Sequence, residues 1–363
     1  MIVNEGYSSN LGDQAIKESM ETLMHSLGFD TDFCYFTNPQ LQALPVYNYE
    51  NIKELQTGFI SAIKKKLASV FSIFIYCRYF FRLKKEVKVK LQNQQYDKVI
   101  IGGGQLINSS DKRRISFFAI AIYVWATEIK KNQSLPLYLI GVGAAGKFHT
   151  IEKYLYKTAL RNVSAIWVRD TFSSASILKY FHKQSVLIPD VAFFDQAASH
   201  PYKKENIALV GIYSYQEYVE KFSVTEKNKD AYYEHWKAAV EKFINEGKKV
   251  TLFYTTVTDA DETQLFKKYL DNQNIKTSIA TVNTLLDLNN LLQTASSVYS
   301  ARMHALILAL KKGCHVEAYI VSQKLKSFTD EYIKPDIDIK VMSDRLHQTF
   351  ETAFKPALQP TVN

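Results

Sequence analysis

The chain has 363 residues, 47% hydrophobic and 22% charged, with only 13 Gly and 8 Pro. This composition excludes a disordered or low-complexity protein and favours two domains of ordinary size over one. The formal charge of +9 sits largely between Ser61 and Lys90, where nine basic residues accompany one acid, Glu86; the remainder is close to neutral, so a nucleic-acid-binding surface is not expected.

Met1-Ile2-Val3 reads as a short strand and not as a charged leader, and no apolar run reaches the roughly 18 residues of a membrane span. Cys34, Cys77 and Cys314 are odd in number and share no metal-ligand spacing, which fits a reducing, cytoplasmic compartment. Next comes Asn10-Leu11-Gly12-Asp13, ahead of a helix beginning near Gln14. Asp13 is either that helix's N-cap or, at the active edge of a sheet, a general base toward a sugar hydroxyl.

Leu67 to Phe81 is apolar with a single charge and is bracketed by lysines. Two readings stay open for the segment 61–90. One is a buried helix with solvated ends; the other is a peripheral patch with lysines on anionic lipid and aromatics at the interface.

A strand over Lys98 to Ile101 delivers Gly102-Gly103-Gly104-Gln105, glycines that serve either a close backbone approach to a ligand or a tight turn. The strand Leu137 to Ile140 runs into Gly141-Val142-Gly143-Ala144-Ala145-Gly146, a literal G-x-G-x-x-G. The dinucleotide fingerprint wants an acid about 20 residues on. Val168-Arg169-Asp170 supplies one behind an Arg, but the match lies at mid-chain, so dinucleotide binding is the lesser reading. Arg169 ends the strand Ala165 to Val168, as an anion ligand at a cleft or as an ion-pair partner of Asp170 or Asp190.

After a strand at Val186 to Ile188, the polar stretch Asp195 to Glu205 reads as a linker. A second series follows, with strands at Ile207 to Tyr213, Lys248 to Tyr254, Thr277 to Thr281, Val298 to Ser300 and Val316 to Ile320. Helical periodicity covers Tyr233 to Ile244 and Met303 to Lys312. Arg302 and His304 then fall at a helix N-terminus, where free N–H groups and the dipole favour an anion. The plainer alternative is a surface Arg and a capping His. Lys324 follows the last strand in a loop. No carboxylate–histidine set has metal-ligand spacing, and no metal is expected.

Strands alternating with helices predict parallel sheets covered on both faces: two Rossmann-like α/β domains facing across a cleft. The expected boundaries are 1–197 and 206–345, with 346–363 as a C-terminal helix and tail.

In order, Asn10-x-Gly12-Asp13, Gly102-Gly103-Gly104, Gly141-Val142-Gly143, Val168-Arg169-Asp170-x-x-Ser173, Pro189-Asp190, Arg302-x-His304 and the downstream Lys324 resemble the polysaccharide pyruvyl transferase family. Ala144-Ala145 departs from it where the family more often has a glycine. The resemblance implies a fold similar to the GT-B glycosyltransferases. It implies transfer of pyruvate from phosphoenolpyruvate to a sugar as a ketal, with release of phosphate and no further cofactor. On that reading Arg169, Arg302, His304 and Lys324 bind the donor's phosphate and carboxylate in a pocket between the two domains, the C-terminal one being the donor side. Asn10, Gly12, Gly102, Gly103, Gly104, Gln105 and Gly143 line the acceptor side in the N-terminal domain. His304 is the expected proton donor and Asp13 the expected base. The acceptor is expected to be lipid-linked, with the protein peripheral on the inner face of the cytoplasmic membrane through 61–90. The alternatives are a nucleotide-sugar glycosyltransferase of the same architecture, and a non-catalytic nucleotide- or sugar-binding protein built on the G-x-G-x-x-G segment.

Overall fold

The computed structural model describes all residues except 48, 50–61, 111–114, 133–134, 197–201, 222–227, 335–336 and 356–363, with residues 62–72, 221 and 323–324 described by backbone only. The chain opens with β1 (Ile2–Asn4), α1 (Leu11–Ser26), β2 (Phe33–Tyr35) and the long α2 (Ala62–Asn93). It then alternates β3 (Val99–Gly102), α3 (Phe117–Asn132), β4 (Leu137–Val142), α4 (Thr150–Leu160), β5 (Ala165–Val168), α5 (Thr171–Phe181) and β6 (Val186–Leu187). A 3-10 turn at Val191–Phe193 precedes β7 (Glu205–Gly211), α6 (Tyr215–Lys221), α7 (Lys229–Asn245), β8 (Lys249–Leu252) and α8 (Val257–Asn272). Last come β9 (Ser278–Ile279), α9 (Leu285–Thr294), β10 (Ala295–Ser300), α10 (Met303–Lys311), β11 (His315–Ala318), α11 (Gln323–Tyr332) and α12 (Ile339–Phe354).

Among the described residues two all-parallel sheets result, one of six strands in the order β2-β1-β3-β4-β5-β6 and one of five in the order β11-β10-β7-β8-β9. The central strands are apolar throughout because both faces are covered: Val99, Ile100, Ile101, Leu139, Ile140 and Val168 are buried in the first sheet, and Leu209, Val210, Leu252 and Val298 in the second. In the first unit Trp125 of α3 is fully buried and donates from Nε1 to the Phe36 carbonyl at 3.0 Å, tying a helix to the strand edge.

The chain divides into two compact units. The first holds Met1–Tyr7, Asp32–Pro45 and Asn51–Ile188; the second holds Ser8–Thr31, Val46–Glu50 and Pro189–Asn363. This is not the continuous split at 197 and 206 that the sequence suggested. The cause is α1: Leu11, Ala15, Ile16, Met20 and Leu23 recur at helical spacing, are buried, and pack on the 3-10 turn, α9 and α10 of the second unit. The expected tail boundary at 345/346 also falls inside one helix, α12, whose Leu346, Phe350 and Phe354 are buried. Part of the expected linker, 197–201, lies outside the described residues.

Two local expectations change as well. Lys324 is in the first turn of α11, not in a loop, and its side chain lies outside the described residues. The segment expected as a buried helix or a lipid patch is α2, and its described part is buried on one side only. Tyr76, Leu83, Val87 and Leu91 face the core of the first unit, while Ile73, Phe74 and Phe81 are exposed. Among the described residues no helix is long and apolar enough to cross a membrane.

Candidate functional site

In the first unit, the loops leaving β3, β4 and β5 meet at the carboxyl edge of the sheet. Gly103 and Gly104 have φ of 74° and 78°, left-handed values that an L side chain would strain. The turn they make lets Gly103 N–H donate to Ile140 O at 2.7 Å and Gly143 N–H donate to Gly104 O at 2.8 Å. Glycine at 143 answers a different need. A Cβ there would stand 2.5 Å from Gln105 Oε1 and 3.1 Å from Arg169 Nη2. Arg169 is 2% exposed; its Nη2 donates to Gln105 Oε1 at 3.4 Å, and its Nε lies 3.9 Å from Asp170 Oδ2. Of the two carboxylates expected as its ion-pair partners, Asp170 is therefore one neighbour of Arg169. Asp170 also caps α5, accepting from Ser173 N–H at 2.6 Å, while Ser173 Oγ accepts from Ala144 N–H at 2.8 Å.

That last bond decides the G-x-G-x-x-G segment. In a dinucleotide site the glycine turn opens directly into a helix whose N-terminus holds the pyrophosphate. Here Ala144 is tied to Ser173 and bridged to Ile107, and α4 starts only at Thr150 with His149 as its cap. The fingerprint is present in letters but does not form the dinucleotide turn.

In the second unit Asn10, not Asp13, caps α1. Its Oδ1 accepts from Gly12 N–H at 3.0 Å, and its Nδ2 donates to Asp13 Oδ2, also at 3.0 Å. Ser8 Oγ donates to the same carboxylate oxygen at 3.0 Å. Asp13 is thus an acid of the first turn, held from two sides. Asn10, Gly12 and Asp13 all belong to the second unit, and only Gly102, Gly103, Gly104, Gln105 and Gly143 of the expected acceptor loops belong to the first.

Gly12 is glycine because of His304. A Cβ at 12 would sit 2.6 Å from His304 Nδ1 and 2.9 Å from its Cγ, so the His304 side chain closes against the backbone of α1's first turn. On its other side His304 Nε2 is 3.5 Å from Asp190 Oδ2. Asp190 is 3% exposed, and its Oδ1 accepts from Ala192 N–H at 3.0 Å to cap the 3-10 turn. The imidazole is fixed by a glycine on one helix and a buried carboxylate on another segment, at the first turn of α10. The sequence reading gave Asp190 only as a candidate ion-pair partner of Arg169; its place in the ordered motif was the one signal toward His304.

Arg302, two residues away, is differently placed. Its Nε and Nη2 donate to Asp259 Oδ2 and Oδ1, each at 2.7 Å, the two-pronged geometry a guanidinium offers a carboxylate. Nη2 also donates to Glu217 Oε2 at 3.2 Å and Thr256 Oγ1 at 3.3 Å, and the guanidinium carbon lies 4.0 Å from the centre of the Tyr213 ring. Asp259 accepts in addition from Ser214 N–H at 3.0 Å. Arg302 was expected to present its charge to an anion. In the structure two carboxylates already face it, and it braces the loops after β7, β8 and β10. None of Asp259, Glu217, Thr256 or Tyr213 was singled out from the sequence. Among the described residues no group of His, Cys, Asp and Glu could hold a metal ion.

The polysaccharide pyruvyl transferase family model matches residues 10–316, most of the chain. The chain belongs to that family. Membership makes it a transferase of polysaccharide biosynthesis, and the match spans His304, Asp190 and Asn10 through Asp13 alike. No curated protein matches the chain. Among solved structures, the UDP-GlcNAc 2-epimerase of Neisseria meningitidis bound to UDP-GlcNAc is 9% identical with a TM-score of 0.51, over 97% of this chain and 91% of that one. A putative UDP-N-acetylglucosamine 2-epimerase of Listeria monocytogenes is 11% identical with a TM-score of 0.50, over 97% and 87%. These likenesses show a GT-B-like fold of two parallel α/β units for the chain.

Proposed function

We propose that this chain transfers pyruvate from phosphoenolpyruvate to a sugar of a polysaccharide precursor, forming a ketal and releasing phosphate. The observation that carries this reading is the fixed imidazole of His304, between Gly12 and Asp190, in a chain of the pyruvyl transferase family. The chemistry asks for one well-placed proton donor. Protonation of C3 makes C2 of the donor electrophilic, and a sugar oxygen bonds to C2 as its proton passes to a base. The C2–O bond to phosphate then breaks with its electron pair. The second hydroxyl adds to C2 and loses its proton, which leaves with phosphate. His304 gives the first proton, and Asp190 is a positioning residue that holds the ring. Asp13 lies one residue from Gly12, on the turn that touches His304, and is the proposed base.

Of the expected donor cations, Arg169 and Lys324 keep that role in this reading, Lys324 on the family motif alone. Arg302 is assigned to bracing. The acceptor is proposed to be carried on a lipid, which would put the work of the protein at a membrane surface. No step as written calls on a metal or organic cofactor, so a chelator is expected to leave phosphate release unchanged.

The test is thermal stabilisation by phosphoenolpyruvate and by UDP-sugars side by side, followed by phosphate release with a panel of lipid-linked and free acceptors. Stabilisation by phosphoenolpyruvate, with turnover lost by about 10²–10⁴ in His304→Ala, is expected. Stabilisation by a UDP-sugar alone would give the site to the glycosyltransferase alternative. For Asp190→Asn, a drop in kcat with KM for the donor nearly unchanged marks positioning; a change in KM alone overturns that role.

A further inference from the structure

We infer that the outward face of α2 is a docking surface for an anionic lipid membrane. This goes beyond the transfer reaction and stands or falls independently of it. The orientation of the helix is fixed by what it buries. Tyr76, Leu83 and Val87 are 8%, 0% and 0% exposed, and the Tyr76 and Tyr79 rings pack on Phe117 of α3 with centroids 5.5 and 4.8 Å apart. At 100° per residue, the arc opposite these positions carries Phe74, Arg78, Phe81, Lys85 and Lys88. The spacings of this set are four, three, four and three, a single stripe about 21 Å long.

All five residues of the stripe are exposed, Phe74 and Phe81 at 64% and 66%. Single exposed apolar residues are common on protein surfaces and need no partner. Two phenyl rings in register, interleaved with three cations, form an organised pattern. Glu86, the one acid in the sequence of α2, is 7% exposed on the inner side with Arg82 at 3.7 Å, so it does not dilute the charge of the stripe. Heptad spacing would also suit a second helix. A second copy of this chain, however, would bring Arg78, Lys85 and Lys88 against their own equivalents. What matches cations and rings together is an interface with anionic headgroups outside and acyl chains beneath, where lysines and arginines pair with lipid charge and phenylalanines enter the boundary. The near neutrality of the rest of the chain disfavours nucleic acid as the partner.

The experiment is co-sedimentation of the full-length protein with vesicles of phosphatidylcholine alone and of phosphatidylcholine with phosphatidylglycerol. The wild type is expected to sediment with the second kind only and to be released by salt. Arg78→Glu/Lys85→Glu/Lys88→Glu is expected to lower the partition about a hundredfold, at about 1 kcal/mol for each cation near the surface. Phe74→Ser/Phe81→Ser is expected to weaken binding with less change in its salt dependence. All five side chains are exposed, so both variants should unfold at the wild-type temperature, and phosphate release with a water-soluble acceptor should be unchanged. Equal sedimentation of wild type and charge-reversed protein overturns the inference. Failure of the wild type to bind either vesicle also overturns it, as does retention of a labelled RNA in place of vesicles.

Discussion

Arg169 and Arg302 occupy matching places in the two units, each just past a strand of a parallel sheet, yet their surroundings differ. Arg302 meets the fork of Asp259 and the carboxylate of Glu217, and its charge is balanced where it stands. Arg169 is more deeply buried, with an amide oxygen at 3.4 Å and a carboxylate at 3.9 Å among its neighbours. A strand-end arginine in this fold therefore takes its partners from the loops brought to it, and the residue type alone does not name them.

The largest effect that tests this contrast is on stability. Arg302→Ala leaves Asp259, 1% exposed, without its partner, and is expected to cost about 3–5 kcal/mol in a urea titration. A cost below about 1 kcal/mol would return Arg302 to the list of donor ligands. Next is Gly12→Ala, which presses a methyl into the His304 ring; a loss of about 1–3 kcal/mol is expected together with a fall in turnover. Stability lost with turnover intact would detach His304 from the reaction. Arg169→Lys is expected to weaken phosphoenolpyruvate binding about tenfold, read by calorimetry. Unchanged affinity would make Arg169 a brace as well.

The smallest effect concerns a third cation, Lys311, at the far end of α10. Burial, opposed by Asp195, lowers its pKa from the usual 10.5 to about 8, while its Nζ donates to the Phe194 carbonyl at 2.6 Å. Between those two values the unfolded chain binds more protons than the folded one, so this group's contribution to stability rises with pH through that window. Below about 8 its cost is full. Lys311→Met should therefore gain more on the wild type near pH 7 than near pH 10, in thermal unfolding at both. A constant gap would show that Lys311 stays charged throughout.

Much of this was legible in the sequence, and for a common reason. Strand ends in a parallel sheet are marked by local signals, an apolar run followed by glycine or a charged residue, so Gly102–Gly104, Gly143, Arg169 and Arg302 could be placed at strand ends from the sequence. What escaped depends on contacts across long stretches of chain. Asp259 and Glu217 lie 43 and 85 residues before Arg302, and no local pattern announces that they meet it. Asp190 reaches His304 from a 3-10 turn too short to have a periodicity. The strand β2, three residues long, carries no alternation to detect. Asn10 and Asp13 are both good capping residues, and only the geometry shows which one caps α1.

The excursion of the chain into the second unit as α1 has a consequence during synthesis. The helix leaves the ribosome well before its packing partners, the 3-10 turn, α9 and α10, which come roughly 170 to 290 residues later. At about 5–20 residues per second, α1 waits on the order of tens of seconds with Leu11, Ile16, Met20 and Leu23 uncovered. Nascent chains halted before residue 300 should therefore be the species that a hydrophobic-binding chaperone retains, and chains extended past α10 should be released.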